Sequence, residues 1–425
     1  MAASLPDDFQ ARGLIVDASE GWAQHLATAS RACYVGFDPT ADSLHVGSLL
    51  PLLALRRAQL AGHRPIVLVG GGTGLIGDPS GKSGERALNP KDVVHDWAER
   101  LKRQVSPFLD FDGGRLSAAL ADNYEWISEL DVLSLLRDIG KHFAVGVMLA
   151  KESVKTRLQA GISYTEFSYQ VLQAYDFLCL LRRYGCTVQM GGSDQWGNIT
   201  AGIDLIRRVE GRTAFGLTFP LVTKSDGSKF GKTESGTIWL NPQRTSAYEM
   251  YQFWLNTADR DVVAFLKYFT FLSLERIEEL GEATRTSPER REAQRVLARE
   301  VTALVHDQES VREAERSAAA VFDAESFETE AGPLDGGALP GAFVQASEPQ
   351  YLWAILKEAG IVASTSEARR LIAQGGVAVN RRRVDSTDLR IEPGRYLIQI
   401  GKRRFWRVLV GPEYQTRPWQ MQARK

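Results

Sequence analysis

The sequence contains few cysteines and histidines, the residues that form disulfides and most structural metal sites. It has three cysteines, Cys33, Cys179 and Cys186, and no C-x-x-C pair, which argues against a disulfide framework and against a zinc ribbon. None of its six histidines lies in an H-E-x-x-H pattern, so no catalytic zinc helix is expected. We therefore predict a protein of a reducing compartment without a structural metal.

Long apolar runs are also missing. No stretch approaches eighteen uninterrupted apolar residues, and the first residues carry acids and a proline where a secretory signal needs basic and then apolar residues. We expect no membrane span and a cytoplasmic location. Of the 425 residues, 44% are hydrophobic and 24% are charged, which is typical of two or three globular domains.

Lysine and arginine are absent from residues 317–356, and the run 331–341 within this stretch is rich in glycine and proline. We predict a linker over roughly 322–348. Beyond it, residues 350–425 hold 15 basic and 6 acidic residues, whereas residues 1–349 hold 36 basic and 46 acidic ones. A basic module on an acidic body suggests a polyanionic partner, although a solvated basic face explains the composition equally well.

The order of the predicted elements indicates an α/β fold. Short apolar strands, such as those at 65–69 and 187–190, alternate with helical stretches before residue 240, which favours a Rossmann-like parallel-sheet domain. The sequence that follows is helical and rich in aromatic residues, as a core is. In the tail, Ser364 and Glu367 have capping-box spacing at the start of a helix, and a strand at 377–379 completes a small α+β domain.

A glycine-rich run at 72–77 (Gly-Thr-Gly-Leu-Ile-Gly) matches G-x-G-x-x-G after a strand, as a dinucleotide-binding turn does. We decline that interpretation, because the following residues 78–84 (Asp-Pro-Ser-Gly-Lys-Ser-Gly) do not easily open the helix that would face a pyrophosphate. A P-loop is also incomplete, since Ile76 stands where its first glycine should be. Two interpretations of this run remain: a ligand-binding loop at the end of a strand, or a plain surface loop. Its charged side chains are Asp78, Lys82 and Arg86.

Two short motifs, far apart in the chain, carry groups that suit phosphates. In the first, Thr40 and a neutral His45 can donate hydrogen bonds at a turn between a strand and a helix, and Gly47 permits close approach of a nucleobase. In the second, Lys229 and Lys232 lie in a glycine- and serine-rich stretch that could close over developing charge. A capped helix with an incidental histidine and a solvated basic turn are the ordinary alternatives.

In this order and separation, the two motifs resemble the HIGH (39–48) and KMSKS (229–233) motifs of class I aminoacyl-tRNA synthetases. They read His-Val-Gly-Ser at 45–48 and Lys-Phe-Gly-Lys-Thr at 229–233. Ser48 replaces the second histidine of the first motif, which removes one possible phosphate or ribose contact.

A third stretch, residues 164–181, combines apolar positions with a polar stripe at helical spacing. The stripe consists of Glu166, Tyr169, Gln170, Gln173 and Asp176. An amphipathic helix that shows its polar face to water is the ordinary explanation, but these side chains suit positioning more than solvation.

This stretch resembles the substrate helix of tyrosyl-tRNA synthetases, and the resemblance covers nearly the whole chain. The other landmarks are the runs 34–40, 77–81 and 191–198, and the tail, on 366–372 and 377–380, resembles the α-L (S4-like) RNA-binding fold of many bacterial members. The domains it implies are a catalytic domain (1–240), an α-helical anticodon-recognition domain (241–321), a linker (322–348) and an RNA-binding domain (349–425).

The resemblance implies that L-tyrosine and ATP, with Mg²⁺ carried by ATP, form tyrosyl-adenylate and pyrophosphate, and that a homodimer then transfers tyrosine to the 3′ end of tRNA(Tyr). It assigns tyrosine binding to Tyr34, Asp78, Tyr169, Gln173 and Asp176. It assigns ATP binding to Gly36, Asp38, Thr40, His45, Gly47, Asp194, Gln195 and Lys232. The residues around the leaving phosphates would be Thr40, His45, Lys82, Arg86, Lys229 and Lys232. The tRNA backbone would contact Arg369, Arg370, Arg381, Arg382, Arg383, Lys402, Arg403 and Arg404.

Three other functions are weighed against this one. A tryptophanyl-tRNA synthetase shares the fold and chemistry, although Tyr34 and Asp176 favour tyrosine. A non-catalytic RNA-binding protein on a synthetase scaffold would also need the basic tail, although the motif lysines and His45 are intact. A nicotinamide oxidoreductase is remote, because the glycine run does not open a helix.

Overall fold

The computed structural model describes residues 4–80, 88–151, 154–155, 161–223, 225, 230–233, 236–322, 341–401 and 404–412. Contacts between residues divide the chain into two units. One holds residues 1–241 and 258–293, and the other holds 242–257 and 294–425. In the described ranges, no helix is both long enough and apolar enough to cross a membrane.

A parallel sheet forms the centre of the first unit. Its described strands are β1 (Ala32–Phe37), β2 (Arg64–Val69), β3 (Ala119–Asp122), β4 (Cys186–Gly192) and β5 (Phe215–Phe219). They lie in the order β3-β2-β1-β4-β5, and each neighbouring pair is parallel. The predicted Rossmann-like sheet is confirmed. Because the strand order reverses between β1 and β4, a crevice opens at their carboxyl ends. A two-stranded ribbon, β6 (Lys232–Thr233) and β7 (Gly236–Thr237), follows later in the chain.

Helices account for most of the rest of the described chain in both units. The α-helices are, in chain order, α1 (Leu5–Ala11), α2 (Trp22–Thr28), α3 (Leu49–Leu60), α4 (Lys91–Val105), α5 (Tyr124–Ile127), α6 (Val132–Ser134), α7 (Val145–Leu149), α8 (Tyr164–Tyr184), α9 (Trp196–Glu210), α10 (Ala247–Leu255), α11 (Asp259–Phe269), α12 (Leu274–Thr286), α13 (Glu292–Val305), α14 (Gln308–Phe322), α15 (Leu352–Glu358) and α16 (Thr365–Ala373). Single 3-10 turns lie at Val46–Ser48, Thr73–Leu75, Ser106–Phe108, Gly114–Leu116, Gly140–His142, Ser193–Gln195 and Pro288–Arg290, and one π-turn at Leu135–Ile139.

The long helix α8 carries the predicted polar stripe. It begins after Ser163, whose hydroxyl accepts a hydrogen bond from the Glu166 N–H, and it ends at Gly185, which has a left-handed φ of 66°. The stripe does not face water, because Glu166 and Asp176 are only 1% and 2% exposed. The explanation of a solvated amphipathic face is therefore wrong, and α8 presents this polar face to the protein interior.

The helical sequence after residue 241 is shared between the two units, since α11 and α12 associate with the sheet. Two guanidinium groups explain this association. Arg57 on α3 donates hydrogen bonds to the carbonyl oxygens of Lys267 and Thr270 at the end of α11, where the helix dipole favours a cation. Arg12, which directly follows α1, also donates to the Lys267 oxygen, over 3.4 Å.

Asp8 holds these two buried guanidinium groups together. Its carboxylate oxygens lie 2.7 Å from Arg12 Nε and 3.3 Å from Arg57 Nη1. Burial, together with the neighbouring Arg12, lowers the pKa of Arg57 to about 10. The carboxylate of Asp8 therefore offsets a repulsion between like charges at the junction of α1, α3 and α11.

In the second unit, α10 and α14 are joined by the Tyr251 hydroxyl, which donates to Glu315 over 3.2 Å. The C-terminal module of this unit, residues 341–412, contains the remaining strands. They are β8 (Gly341–Gln345), β9 (Gln350–Tyr351), β10 (Val377–Val379), β11 (Arg382–Val384), β12 (Arg390–Ile391), β13 (Gly394–Ile400) and β14 (Arg404–Gly411). The predicted strand at 377–379 is β10, and the predicted small α+β domain is confirmed.

The structure corrects the C-terminal part of the predicted linker, 322–348. Residues 341–345 form β8, which pairs in parallel with β14 and buries Val344, so these five residues belong to the sheet. The helix start at Ser364 is confirmed, because its hydroxyl accepts the Glu367 N–H and the Glu367 carboxylate accepts the Ala363 N–H.

We expect Asp8→Ala to lower the free energy of unfolding of the first unit by about 3 kcal/mol, because two buried guanidinium groups lose their counter-charge. Urea denaturation followed by tryptophan fluorescence measures this loss. The control is Glu20→Ala in the same unit, which removes an exposed carboxylate and should change stability by no more than about 0.5 kcal/mol. Equal shifts in the two variants would contradict the role of Asp8.

Candidate functional site

A cavity of about 430 Å³ lies at the carboxyl ends of β1 and β4, where the strand order reverses. It is the position at which open α/β sheets bind ligands. Twelve of the predicted site residues line it: Tyr34, Gly36, Asp38, Thr40, His45, Gly47, Asp78, Tyr169, Gln173, Asp176, Asp194 and Gln195. Residues separated by up to 161 positions in the sequence therefore meet around one cavity.

One end of the cavity presents two buried polar side chains, Tyr34 and Asp176. The Tyr34 hydroxyl is buried and has no hydrogen-bond partner among the described residues. Asp176 accepts hydrogen bonds from Asn123 Nδ2 at 2.9 Å and from Trp126 Nε1 at 2.7 Å. Burial raises the pKa of Asp176 to about 8 and also raises the pKa of Tyr34. A ligand hydroxyl that reached this end could supply the partner that Tyr34 lacks.

The opposite side of the cavity is electronegative. Asp38 accepts hydrogen bonds from the hydroxyls of Thr73 and Tyr169, each at 2.8 Å. Asp78 accepts from the Ser80 N–H and from Gln195 Nε2, at 2.9 and 2.7 Å. Burial, with the charges of Asp38 and Asp78, raises the pKa of Tyr169 far above its ordinary value. Such a pair of carboxylates suits a ligand ammonium group.

Several residues of this network were not predicted from the sequence. Asn123 Oδ1 accepts the N–H groups of Gly72 and Thr73, and its Nδ2 donates to the Thr73 hydroxyl and to Asp176. Asn198 donates to Gln173 Oε1 at 3.0 Å and to Gln195 Oε1 at 3.2 Å. A signal existed for Asn123, since it directly follows β3 and polar residues at that edge of a sheet face the ligand.

The glycine-rich turn after β2 serves this network. A Cβ atom at Gly70 would collide with Asp38 and Thr73, and one at Gly71 would collide with Asp122. The turn contains a 3-10 turn, Thr73–Leu75, and no α-helix begins among the described residues 70–80. The rejection of a dinucleotide-binding turn is thus consistent with the structure, because the glycines make room for side chains of the site.

The two distant motifs meet at the mouth of the cavity. The Val46 N–H donates to the Ile238 carbonyl, and the Ile238 N–H donates to the Gly231 carbonyl, both at 2.9 Å. His45 and Trp239 form an antiparallel bridge. Gly231 has a φ of 77°, and a Cβ atom added there would lie 2.8 Å from Val46 Cγ1. The second motif is therefore packed directly on the first.

Aromatic rings hold the second motif from its other side. Phe230 lines the cavity, and its ring stacks on Phe269 of α11 at 5.5 Å and meets Phe265 edge-on at 5.2 Å. Of the predicted cations near the phosphates, Lys82, Arg86 and Lys229 lie outside the described residues. Lys232 is described only by its backbone, which lies in β6.

His45 is placed with a defined tautomer. The Gly47 N–H donates to His45 Nδ1 at 3.0 Å, so Nδ1 carries the lone pair and the proton of the neutral ring is on Nε2. This arrangement caps the turn Val46–Ser48, and it leaves an N–H donor on the ring without requiring a positive charge.

The predicted RNA-binding residues lie in the C-terminal module. Arg369 and Arg370 are exposed on α16, and Arg382 and Arg383 are exposed on β11. Arg381 follows Asn380 in a turn in which both residues have positive φ, at 46° and 66°, as in tight β-hairpins. Arg404 is half-buried and donates to the Ile361 carbonyl. Lys402 and Arg403 lie outside the described residues.

Comparison with known proteins agrees with this geometry. Residues 27–323 match the family model of class I tRNA synthetases (W and Y), and residues 352–395 match that of the S4 domain. The chain is 52% identical over 417 residues to the tyrosine–tRNA ligase of Desulfitobacterium hafniense, and 50% identical over 417 residues to tyrosine–tRNA ligase 1 of Bacillus subtilis. Each alignment covers 95% of this chain and 99% of the relative.

Solved structures show the same fold. A C-terminally truncated mitochondrial tyrosyl-tRNA synthetase of Aspergillus nidulans has a TM-score of 0.68 and 30% identity, over 75% of this chain and 94% of that one. A tryptophanyl-tRNA synthetase of Encephalitozoon cuniculi has a TM-score of 0.52 at 14% identity, over 72% of this chain and 87% of that one, which is similarity of fold alone. The chain therefore belongs to the class I tRNA synthetases, in the family of the bacterial tyrosyl-tRNA synthetases.

Proposed function

We propose that this enzyme is a tyrosine–tRNA ligase that activates L-tyrosine with ATP and transfers it to tRNA(Tyr) in the cytoplasm. The observation that carries the proposal is the single cavity at the switch point of the sheet. At one end lies the Tyr34 hydroxyl, which has no hydrogen-bond partner in the described ranges, beside a buried carboxyl. At the mouth of the cavity the two motifs meet.

The polar groups of the cavity match the ends of tyrosine. The phenol hydroxyl would exchange hydrogen bonds with Tyr34 and Asp176, and the ammonium group would bind Asp78, Tyr169 and Gln173. Tryptophan and phenylalanine lack that hydroxyl, so their binding would leave the buried Tyr34 hydroxyl unpaired, at a cost of about 1–3 kcal/mol.

The ATP side of the cavity continues from the ammonium site. Asp38, Asp194 and Gln195 would contact the ribose and the adjoining ammonium region, while Gly36 and Gly47 allow the nucleotide to approach the backbone. Magnesium would arrive with ATP. Among the described residues no cluster of three or more His, Cys, Asp or Glu could hold a metal ion.

In the first step, a carboxylate oxygen of tyrosine attacks the α-phosphorus of ATP, and the bond to the bridging oxygen breaks so that pyrophosphate leaves with its electron pair. The carboxylate is already ionised at neutral pH, so this step needs no general base. Catalysis is then positioning and charge stabilisation. Thr40 and the Nε2–H of His45 would donate to the departing phosphates, and Lys82, Arg86, Lys229 and Lys232 would supply positive charge.

In the second step, a ribose hydroxyl at the 3′ end of the tRNA attacks the carbonyl carbon of the adenylate. The bond between this carbon and the phosphate oxygen breaks, and AMP leaves with that oxygen while a phosphate oxygen accepts the hydroxyl proton. The exposed arginines of the C-terminal module, including Arg370 and Arg382, would hold the tRNA through its phosphates. This division of labour matches the charge asymmetry of the chain, whose body is acidic and whose tail is basic.

The enzyme is further proposed to act as a homodimer. Of the eleven large hydrophobic side chains that are exposed among the described residues, seven lie between positions 132 and 164, and such a concentration marks an interaction surface.

Leu133 in this segment is 77% exposed. We expect Leu133→Asp to shift the enzyme from dimer to monomer in sedimentation velocity. Leu60→Asp, at an exposed leucine elsewhere on the surface, is the control and should leave the wild-type state unchanged.

Amino-acid-dependent pyrophosphate exchange tests the substrate. Among the twenty amino acids, L-tyrosine alone should drive exchange, and Tyr34→Phe should raise the KM for tyrosine about fivefold, as loss of one hydrogen bond of about 1 kcal/mol predicts. The KM for ATP should not change. The control is Tyr184→Phe, outside the cavity. Exchange driven by tryptophan instead, or by no amino acid, would overturn the proposed function.

Removal of the His45 imidazole should affect the rate of pyrophosphate exchange much more than the binding of tyrosine. We expect His45→Ala to lower the turnover of pyrophosphate exchange by about tenfold or more, because one donor to the developing phosphate charge is lost. The dissociation constant of tyrosine should stay within about twofold, since the imidazole is at the phosphate end. Exposed His95 on α4 provides the control variant, His95→Ala. Equal losses of rate and affinity would exclude this role for His45.

A further inference from the structure

Two rings and two guanidinium groups meet on the surface of the C-terminal module. The rings of Tyr351 and Trp353 are stacked, with centroids 5.3 Å apart and 16° between their planes. Arg369 Cζ lies 4.2 Å from the centre of the Trp353 ring, and Arg390 Cζ lies 4.6 Å from that of Tyr351. These four residues are named the aromatic–arginine cluster.

The fold holds the cluster in place. Tyr351 and Arg390 are directly opposed partners of the antiparallel pair β9–β12, and Arg390 Nη2 donates to the Tyr351 hydroxyl at 3.1 Å. Trp353 lies in the first turn of α15, whose neighbouring Leu352 is fully buried, and Arg369 extends from α16. Three separate parts of the module thus fix four planar groups, so little side-chain entropy would be lost on binding a ligand.

The cation–π contacts of the cluster contribute little to the stability of the module. Both arginines are exposed and both rings are half-buried, and exposed cation–π contacts are worth only about 0.5–1 kcal/mol each. Neither arginine forms an ion pair with a carboxylate of the described residues, whereas Arg207 and Arg208 of the first unit both pair with Asp204. Planar groups with uncompensated positive charge are therefore presented to the surroundings.

We infer that the aromatic–arginine cluster binds an unpaired nucleotide of the tRNA. A flat, anionic ligand fits it best: the base can stack on the planar groups, and the adjoining phosphates can meet the guanidinium charges. An acidic peptide could form ion pairs with the two guanidinium groups, but it would not stack on the planar groups. The inference rests on the proposed function for the identity of the RNA. It adds Tyr351, Trp353 and Arg390 to the tRNA-binding residues, and it makes Arg369 a stacking residue as well as a phosphate contact.

The inference is tested on the full-length enzyme with variants at Trp353. We expect Trp353→Leu, which keeps apolar bulk but loses the ring that stacks on Tyr351 and holds the Arg369 guanidinium plane, to raise the KM for tRNA(Tyr) in aminoacylation about tenfold, the size that the loss of one stacked contact predicts. Trp353→Phe, which keeps a ring, should stay within about twofold of the wild type. Tyrosine-dependent pyrophosphate exchange should be unchanged in both. An unchanged KM for Trp353→Leu, or equal increases in both variants, would overturn the inference.

Variants at Arg369 distinguish the contribution of stacking to tRNA binding from that of charge. They test the inference even if Trp353→Leu lowers the melting temperature of the enzyme. Arg369→Lys keeps the charge but loses the plane, so we expect the KM for tRNA to rise several-fold while the slope of log KM against log salt concentration stays that of the wild type. If Arg369→Lys behaves as wild type and only Arg369→Ala weakens binding, the contact is purely ionic and the stacking inference is wrong. Absence of tyrosine-dependent exchange in the wild type would instead refute the proposed function.

Discussion

The buried carboxyl group of Asp176 is the constraint around which the cavity is organised. Burial raises its pKa to about 8, and Asn123 and Trp126 must donate to its two oxygens, because an unpaired polar group in such a place is costly. Asn123 in turn binds Thr73, which donates to Asp38. One chain of hydrogen bonds therefore crosses the site from the hydroxyl end to the ammonium end.

This chain of hydrogen bonds would couple the two ends of the proposed substrate site. Its members come from the ends of β1, β2 and β3 and from α8, so the relative position of these elements sets the distance between the two ends of the cavity. A satisfied buried network is stiff, and the Tyr34 hydroxyl has no hydrogen-bond partner among the described residues. We propose that the pocket favours a ring that carries its own hydroxyl, because any other ring would leave the buried Tyr34 hydroxyl without a hydrogen bond.

The proposed phosphate end of the cavity depends on a different kind of contact. The first and second motifs are joined by backbone hydrogen bonds through residues 238–240 and by the close approach of Gly231 to Val46. Phe230 adds an aromatic contact to α11, and α11 is itself held to α1 and α3 by the Asp8, Arg12 and Arg57 cluster. The helices after residue 241 that associate with the sheet therefore support the site as well as the fold.

The sequence by itself determined the local elements, the two motifs, the polar stripe of α8 and the family, because hydrophobic period, capping residues such as Ser364 and short motifs are written in neighbouring residues. Only the tertiary structure decided that the stripe faces inward and that further side chains join the site, namely Asn123, Thr73, Trp126 and Asn198. It also decided that β8 completes the C-terminal sheet and that α11 and α12 associate with the parallel sheet. Each of these facts depends on contacts between residues about 25 to more than 200 positions apart. Such contacts follow from strand order and helix packing, which no local pattern encodes.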